Sequence, residues 1–190
     1  QSQVFSVSGC YKSFTNPIEL INRTGTSGAP ELYYTNIPSV KNYGCELEYR
    51  LKLGFISKNK EHIFWNNTSV YTNMSLIRSR VDLASVAGSG GDRPLQGQSP
   101  YIINAGLNYN DTKKGLQLNF NYNVIGKRIF AVGNNFGSPY PDWFEMPRNV
   151  VDFNFSKVIS SWITLKGGVS DVLNQGNIIL QDGNQDQVFD

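Results

Sequence analysis

Charge is scarce in this chain. Asp, Glu, Lys and Arg make up only 17% of 190 residues, and the formal net charge is +2. Soluble surfaces ordinarily carry more charge than this. So small an imbalance gives no electrostatic case for nucleic acid as a partner. His62 is the only histidine, which excludes His-based metal clusters and most catalytic triads. Two cysteines, Cys10 and Cys45, do not make a disulfide framework. No run of about 18 apolar residues occurs, so no transmembrane helix is expected. That leaves barrel strands open, because their hydropathy signal is much weaker. No segment carries a convincing helical period.

What replaces charge is aromatic residues, at 13%, together with Asn, Gln, Ser, Thr and Gly. Their arrangement is clearest from Leu116 to Val124, where every odd-numbered residue is an amide (Gln117, Asn119, Asn121, Asn123) and every even-numbered one is apolar. A strand turns alternate side chains to opposite faces, so one face here is greasy and the other hydrophilic. Asn is a poor strand former, and its repeated placement needs a reward. A wet interior, with the apolar side turned towards lipid, supplies one.

Six further segments share the period of two: residues 4–13, 43–53, 64–79, 101–110, 150–157 and 163–173. In the second, Tyr43, Cys45, Leu47, Tyr49 and Leu51 oppose Glu46, Glu48, Arg50 and Lys52. In this phasing Cys10 and Cys45 point to opposite faces of neighbouring strands, which argues against a bridge. Long connectors (14–42, 80–99, 132–149) alternate with short ones (57–61, 111–114, 159–162). Structureless loops of such length are unusual in compact soluble domains. Short turns at one end and long loops at the other are the habit of outer-membrane barrels. The expected fold is therefore all-β, an antiparallel transmembrane β-barrel fragment of about seven strands. Barrels in single bacterial chains have even strand numbers, and a lone open sheet would leave bare edges in lipid. A larger barrel, truncated at both ends of residues 1–190, is the expectation. No signal-peptide pattern stands at Gln1.

Several word-like stretches add specificity. They are Tyr11-Lys12-Ser13-Phe14-Thr15-Asn16-Pro17-Ile18-Glu19, Asn42-Tyr43-Gly44-Cys45-Glu46-Leu47-Glu48 and Arg93-Pro94-Leu95-Gln96-Gly97-Gln98-Ser99-Pro100-Tyr101-Ile102-Ile103-Asn104. Asn123-Val124-Ile125-Gly126-Lys127-Arg128-Ile129, Glu145-Met146-Pro147-Arg148-Asn149-Val150-Val151-Asp152 and Asp171-Val172-Leu173-Asn174-Gln175 follow. In order and spacing they resemble the C-terminal part of the barrel of TonB-dependent outer-membrane receptors, particularly of Bacteroidetes-type bacteria. The resemblance implies a barrel of about 22 strands, a plug domain, and nutrient import energised through TonB. A siderophore, a cobalamin-like cofactor or an oligomeric substrate would be the cargo. It further implies outer-membrane lipid, the chain's own N-terminal barrel part and plug as partners, and a surface lipoprotein as a further one. Members end on a strand closing with an aromatic residue, whereas this sequence stops at Asp190, an expectation of truncation before the last strand.

On this reading Glu46, Glu48, Arg50, Lys52, Gln117, Asn119, Asn121, Asn123, Asp152 and Lys166 face the lumen, where they would contact the plug. In a soluble sheet the same residues would be a solvated face. Paired carboxylates two apart suggest acid/base chemistry, but no companion nucleophile occurs and no enzyme is expected. Tyr140, Trp143 and Phe144 crowd one long loop, where they would grip a ligand or pack on one another. Gly126-Lys127-Arg128 lacks a P-loop context and reads as a cationic patch near the outer rim. Asp182, Asn184 and Asp186 have the spacing of a hard-cation loop. An ordinary polar turn is the preferred reading, and no cofactor is expected beyond such a Ca²⁺ ion. The alternative from another class is a soluble or surface-anchored β-sandwich binding carbohydrate or protein. It would bury the apolar face of 116–124 beneath a second sheet.

Overall fold

The computed structural model describes residues 3–25, 28–56, 63–82, 93–133, 141–181 and 183. Among them twelve strands follow in order: β1 (Gln3–Thr15), β2 (Ile18–Thr24), β3 (Pro30–Asn36), β4 (Ser39–Lys52), β5 (Thr68–Asp82), β6 (Tyr101–Asp111), β7 (Leu116–Ile125), β8 (Arg128–Ala131), β9 (Trp143–Glu145), β10 (Arg148–Ser160), β11 (Ile163–Val169) and β12 (Ile179–Gln181). Seven of them build one sheet in the order β1-β4-β5-β6-β7-β10-β11, each antiparallel to its neighbour. These are the seven periodic segments. The sheet does not close, and β1 and β11 are its edges.

The long strands reach further towards the long loops than the alternation suggests. β1, β4 and β5 run 13, 14 and 15 residues, where crossing hydrocarbon takes about 9–11. Their last turns carry Lys12, Lys41, Arg78 and Arg80, so hydropathy loses its period while the backbone ladder continues. At the other end β5 starts later than its pattern, because Ile63–Asn66 forms a helical turn that Thr68 caps by donating to the Phe64 carbonyl at 2.6 Å. β11 stops at Val169 because Asp171 and Asn174 take left-handed backbone angles (φ 52° and 46°), which short polar side chains tolerate.

The long connectors are not structureless, which corrects the expectation from sequence. β2 and β3 form a hairpin; β8, β9 and β12 form a three-stranded sheet. A parallel bridge joins the two at Ile21 and Val132, where Asn22 N–H donates to the Val132 carbonyl (2.7 Å) and Val132 N–H to that of Leu20 (2.9 Å). Residues 93–100 lie across the polar face of the main sheet at this end. Leu95 N–H donates to Ser79 Oγ, Asn42 Nδ2 to Gln98 Oε1, and Leu95 packs on a small core of Ile37, Val40 and Val81. The loops thus form a cap at one end of the sheet.

The polarity of the sheet is reversed relative to a soluble one. Phe5, Tyr49, Leu107, Phe120, Leu165 and Val169 are exposed on one face. Among the described residues no second sheet covers them, contrary to what a sandwich requires.

Candidate functional site

The side of the sheet opposite this apolar face is assembled strand by strand. β4 sends Glu46, Glu48, Arg50 and Lys52 to it, as the alternation dictates. Glu48 then heads a row that crosses Asn73, Asn104 and Asn123 on successive strands. Asn123 Nδ2 donates to Asn104 Oδ1 at 2.7 Å, so amide meets amide across the ladder. The next row towards the short turns is Arg50, Tyr71, Gly106, Asn121 and Asp152. Here Tyr71 lies flat over Gly106 to donate its hydroxyl to Asn121 Oδ1 at 2.9 Å. A Cβ on Gly106 would stand 2.1 Å from Tyr71 Cε1, so the strand needs glycine there. Asn108, Asn119 and Asn154 make a third row, and Gln117, Ser156 and Lys166 a fourth. Poor strand formers are rewarded here by cross-strand hydrogen bonds on a face rich in amides.

Charge on this face is balanced. Arg50 Nε pairs with Glu48 Oε1 at 2.8 Å, and Ser75 Oγ donates to Glu46 Oε1 at 3.5 Å. At the β10 end, Arg148 pairs with Asp171, whose N–H donates to Asp152 Oδ1 at 2.8 Å. Arg148 also donates to the Gln175 carbonyl, and Asn149 N–H to Gln175 Oε1. The Asp171–Gln175 turn therefore clamps the start of β10, a role its sequence did not reveal.

The cap is organised by residues that sequence reasoning did not single out. Glu19, fully buried, accepts both Nη groups of Arg93 at 2.8 and 2.5 Å, and the Gln96 N–H at 2.9 Å. Gln96 in turn accepts from Leu20 N–H and donates to the Phe130 carbonyl at 2.7 Å. Glu19 thus ties two connectors together, and Gln96 links them to a third at Phe130. The signal was present in the motifs, since one ends at Glu19 and another begins at Arg93. Asp142 also belongs here, accepting Gly133 N–H at 2.7 Å. Burial raises its pKa above the ordinary value; the Gly133 hydrogen bond and Arg93 oppose this, and Glu19 adds to it.

Trp143 and Phe144 sit in β9 and are half-buried among cap neighbours. Trp143 stacks on Phe130 at 6.4 Å, and Lys127 lies 4.9 Å from the Phe144 ring centre. Arg128 pairs with Glu145 at 2.8 Å. The cations of Gly126-Lys127-Arg128 thus serve the cap's own packing, which corrects their reading as a patch on the rim. Tyr140, Asp182, Asn184, Asp186 and His62 lie outside the described residues. Among the described residues no group of His, Cys, Asp and Glu has the arrangement of a metal site. Cys10 and Cys45 are both free, on opposite faces as expected.

An antiparallel meander of long strands, apolar outside its polar face and capped at one end by long loops, is the wall of a membrane β-barrel. Comparison with known proteins narrows the class. A family model described as "TonB dependent receptor-like, beta-barrel" matches residues 1–171, and the chain belongs to that family. Among solved structures, "Copper transporter OprC" superposes with a TM-score of 0.62 at 16% identity, covering 94% of this chain and 24% of that one. At that identity the likeness concerns the fold, and the chain spans about a quarter of that transporter's length. No curated protein matches. The family is one of outer-membrane transport receptors rather than of enzymes.

Proposed function

We propose that the chain is the C-terminal part of the barrel of a TonB-dependent receptor of the Bacteroidetes type, importing a scarce nutrient across the outer membrane. The exposed apolar face carries this reading, because lipid is the solvent that would cover it without a second sheet. The two bare edges, β1 and β11, support a barrel completed by further strands of the same protein.

In this reading Glu46, Glu48, Arg50, Lys52, Gln117, Asn119, Asn121, Asn123, Asp152 and Lys166 line the lumen and offer hydrogen bonds to a plug domain. TonB acts through that plug, and no covalent chemistry is assigned to the barrel. The cap narrows the outer mouth, with residues 93–100 laid inward. Trp143 and Phe144 are held in the cap in preset positions for ligand contact, with Tyr140 three residues before Trp143 in sequence. Asp182, Asn184 and Asp186 keep the weaker role of a Ca²⁺ loop. Cargo of the siderophore, cofactor or oligomeric-substrate kind suits a mouth of amides and aromatics, and a surface lipoprotein would close over it.

The test is uptake by cells carrying the full-length receptor, supplied with each cargo class, with and without collapse of the proton gradient. Gradient-dependent accumulation of one class supports the reading. Passive entry of all classes, or a full-length protein that stays monodisperse without detergent, overturns it.

A further inference from the structure

The cap is built by strands from separate connectors meeting edge to edge. β12 pairs with β9, β9 with β8, and β8 meets β2 at the Ile21–Val132 bridge, so the row runs β12-β9-β8-β2-β3. It ends on β3. Ile37 N–H donates to the Pro17 carbonyl at 2.9 Å and Gly25 N–H to that of Ala29 at 2.8 Å, which sets the phase of the β2–β3 ladder. Glu31, Tyr33 and Thr35 therefore turn their backbone groups to β2, while Leu32 and Tyr34 turn theirs away. Among the described residues no strand pairs with that side.

Open edges are ordinarily blunted by lysine, by a bulge or by shortening the strand. β3 keeps seven residues in unbroken register with β2 and carries no lysine; Pro30, at its first position, removes one donor. Side chains directly across a ladder share a face, so Ile18, Leu32 and Tyr34 stand together, and they are 64%, 47% and 75% exposed. On the other face Arg23 pairs with Glu31 at 3.3 Å and lies 4.7 Å from the centre of the Tyr33 ring. The edge thus offers a donor and an acceptor at every second residue, about 6.8 Å apart, beside an apolar stripe. A second extended backbone presents complementary groups at that repeat. A sugar, a phosphate or an acyl chain does not.

We infer that the β3 edge takes up an extended oligopeptide from outside the cell by strand addition. Running antiparallel to β3, the peptide exchanges backbone hydrogen bonds with Leu32 and Tyr34. Its two residues opposite them are apolar and two apart in sequence. The next residue stands opposite Glu31 and is basic, since opposite charges across a ladder attract. Placing the cap outside the cell rests on the outer-membrane reading above; the ligand class rests on the edge itself.

The experiment uses the full-length receptor in micelles and a fluorescein-labelled heptapeptide with Val, Thr, Val and Lys in succession at its centre. Anisotropy should rise saturably, and amide exchange at Leu32 and Tyr34, fast in the free receptor, should slow. Methylating both Val nitrogens removes two hydrogen bonds worth about two- to tenfold each, so that probe should bind at least about tenfold more weakly. Methylating the Thr between them, whose N–H points away from β3, should leave binding close to that of the parent probe. Tyr34→Pro should weaken the parent probe as strongly as methylation of the Val pair, yet leave the hairpin in place, because the N–H it removes does not bond to β2. Equal binding of the two methylated probes overturns the inference, as does unchanged binding by Tyr34→Pro. Exchange at Leu32 and Tyr34 that is slow before any probe is added also overturns it, since a strand of the receptor's own would then cover the edge. If Tyr34→Pro frays the cap, seen as faster proteolysis of 18–36, the two methylated probes on wild type decide. On intact cells, surface binding that ignores methylation sinks this inference alone; binding seen only after the outer membrane is disrupted sinks the outward placement of the cap with it.

Discussion

Arg93 and Glu19 are 74 residues apart in sequence and meet in a two-pronged ion pair within the loop cap. Glu19 is fully buried and Arg93 nearly so, with side-chain exposures of 0% and 16%. Removing one partner of a buried pair strands the other charge, at about 3–5 kcal/mol. Arg93→Ala should therefore loosen the cap, seen as faster proteolysis of 18–36 and 128–145, while the seven-stranded sheet keeps its gel mobility. Arg93→Lys should fall well short of wild type, because an ammonium cannot reproduce the two parallel hydrogen bonds. Unchanged proteolysis in Arg93→Ala would remove the pair from its organising role.

Asp142 should make the cap sensitive to pH. Its carboxyl lies near Arg93, Glu19 and the Gly133 N–H, and burial dominates, raising its pKa above 3.8. A group protonated more readily in the folded state contributes most at low pH and loses that contribution as pH rises through the folded pKa. Hydrogen exchange at Gly133 should thus quicken as pH climbs from about 4 through the raised value, after correction for the intrinsic rate. Asp142→Asn should flatten that dependence. A cap that tightens with rising pH in this window would contradict the assignment.

Gly106 and Tyr71 make a second, independent prediction. Gly106→Ala forces the Tyr71 ring away from its seat, with an overpacking cost of about 1–3 kcal/mol on top of the lost Tyr71–Asn121 hydrogen bond. Tyr71→Phe removes only that hydrogen bond, at roughly 0.5–1.5 kcal/mol. Urea unfolding of the full-length receptor in micelles should rank the two in that order. If Tyr71→Phe is the more damaging, the ring's contact with glycine is not what fixes the site.

The clamp on β10 can be tested in the same way. Asp171→Ala frees Arg148 and removes the turn that holds Asn149 through Gln175. Exchange protection should drop at the start of β10 and stay unchanged at its far end, near Lys157. Uniform loss along the strand would indicate general destabilisation instead.

Much of the wall was legible because a strand's period of two survives wherever one face must differ from the other. All seven wall strands, their faces and the opposite placement of Cys10 and Cys45 follow from that alternation. It fades beyond Tyr43 and Arg78, where the outward face turns charged at Lys41 and Arg80 while Val40 and Val81 turn inward beneath the cap, and there the strands run on unannounced. The cap was hidden for another reason. β2, β3, β8, β9 and β12 are short and held by contacts far apart in sequence, such as Ile21 with Val132, so no local pattern betrays them. Glu19 was not singled out because its partner Arg93 lies in a different connector. Trp143 and Phe144 read equally as ligand contacts or as packing, since only neighbours such as Phe130 and Lys127 distinguish the two.

The account stands or falls on which face of the wall meets lipid. With Cys10 and Cys45 replaced by Ser, a fluorophore placed at Phe120→Cys or at Asn121→Cys in the full-length receptor can be challenged with brominated lipid and with iodide. Strong quenching by brominated lipid at position 120 and by iodide at position 121 is the predicted result. The opposite pattern, or iodide quenching at both positions, would contradict it.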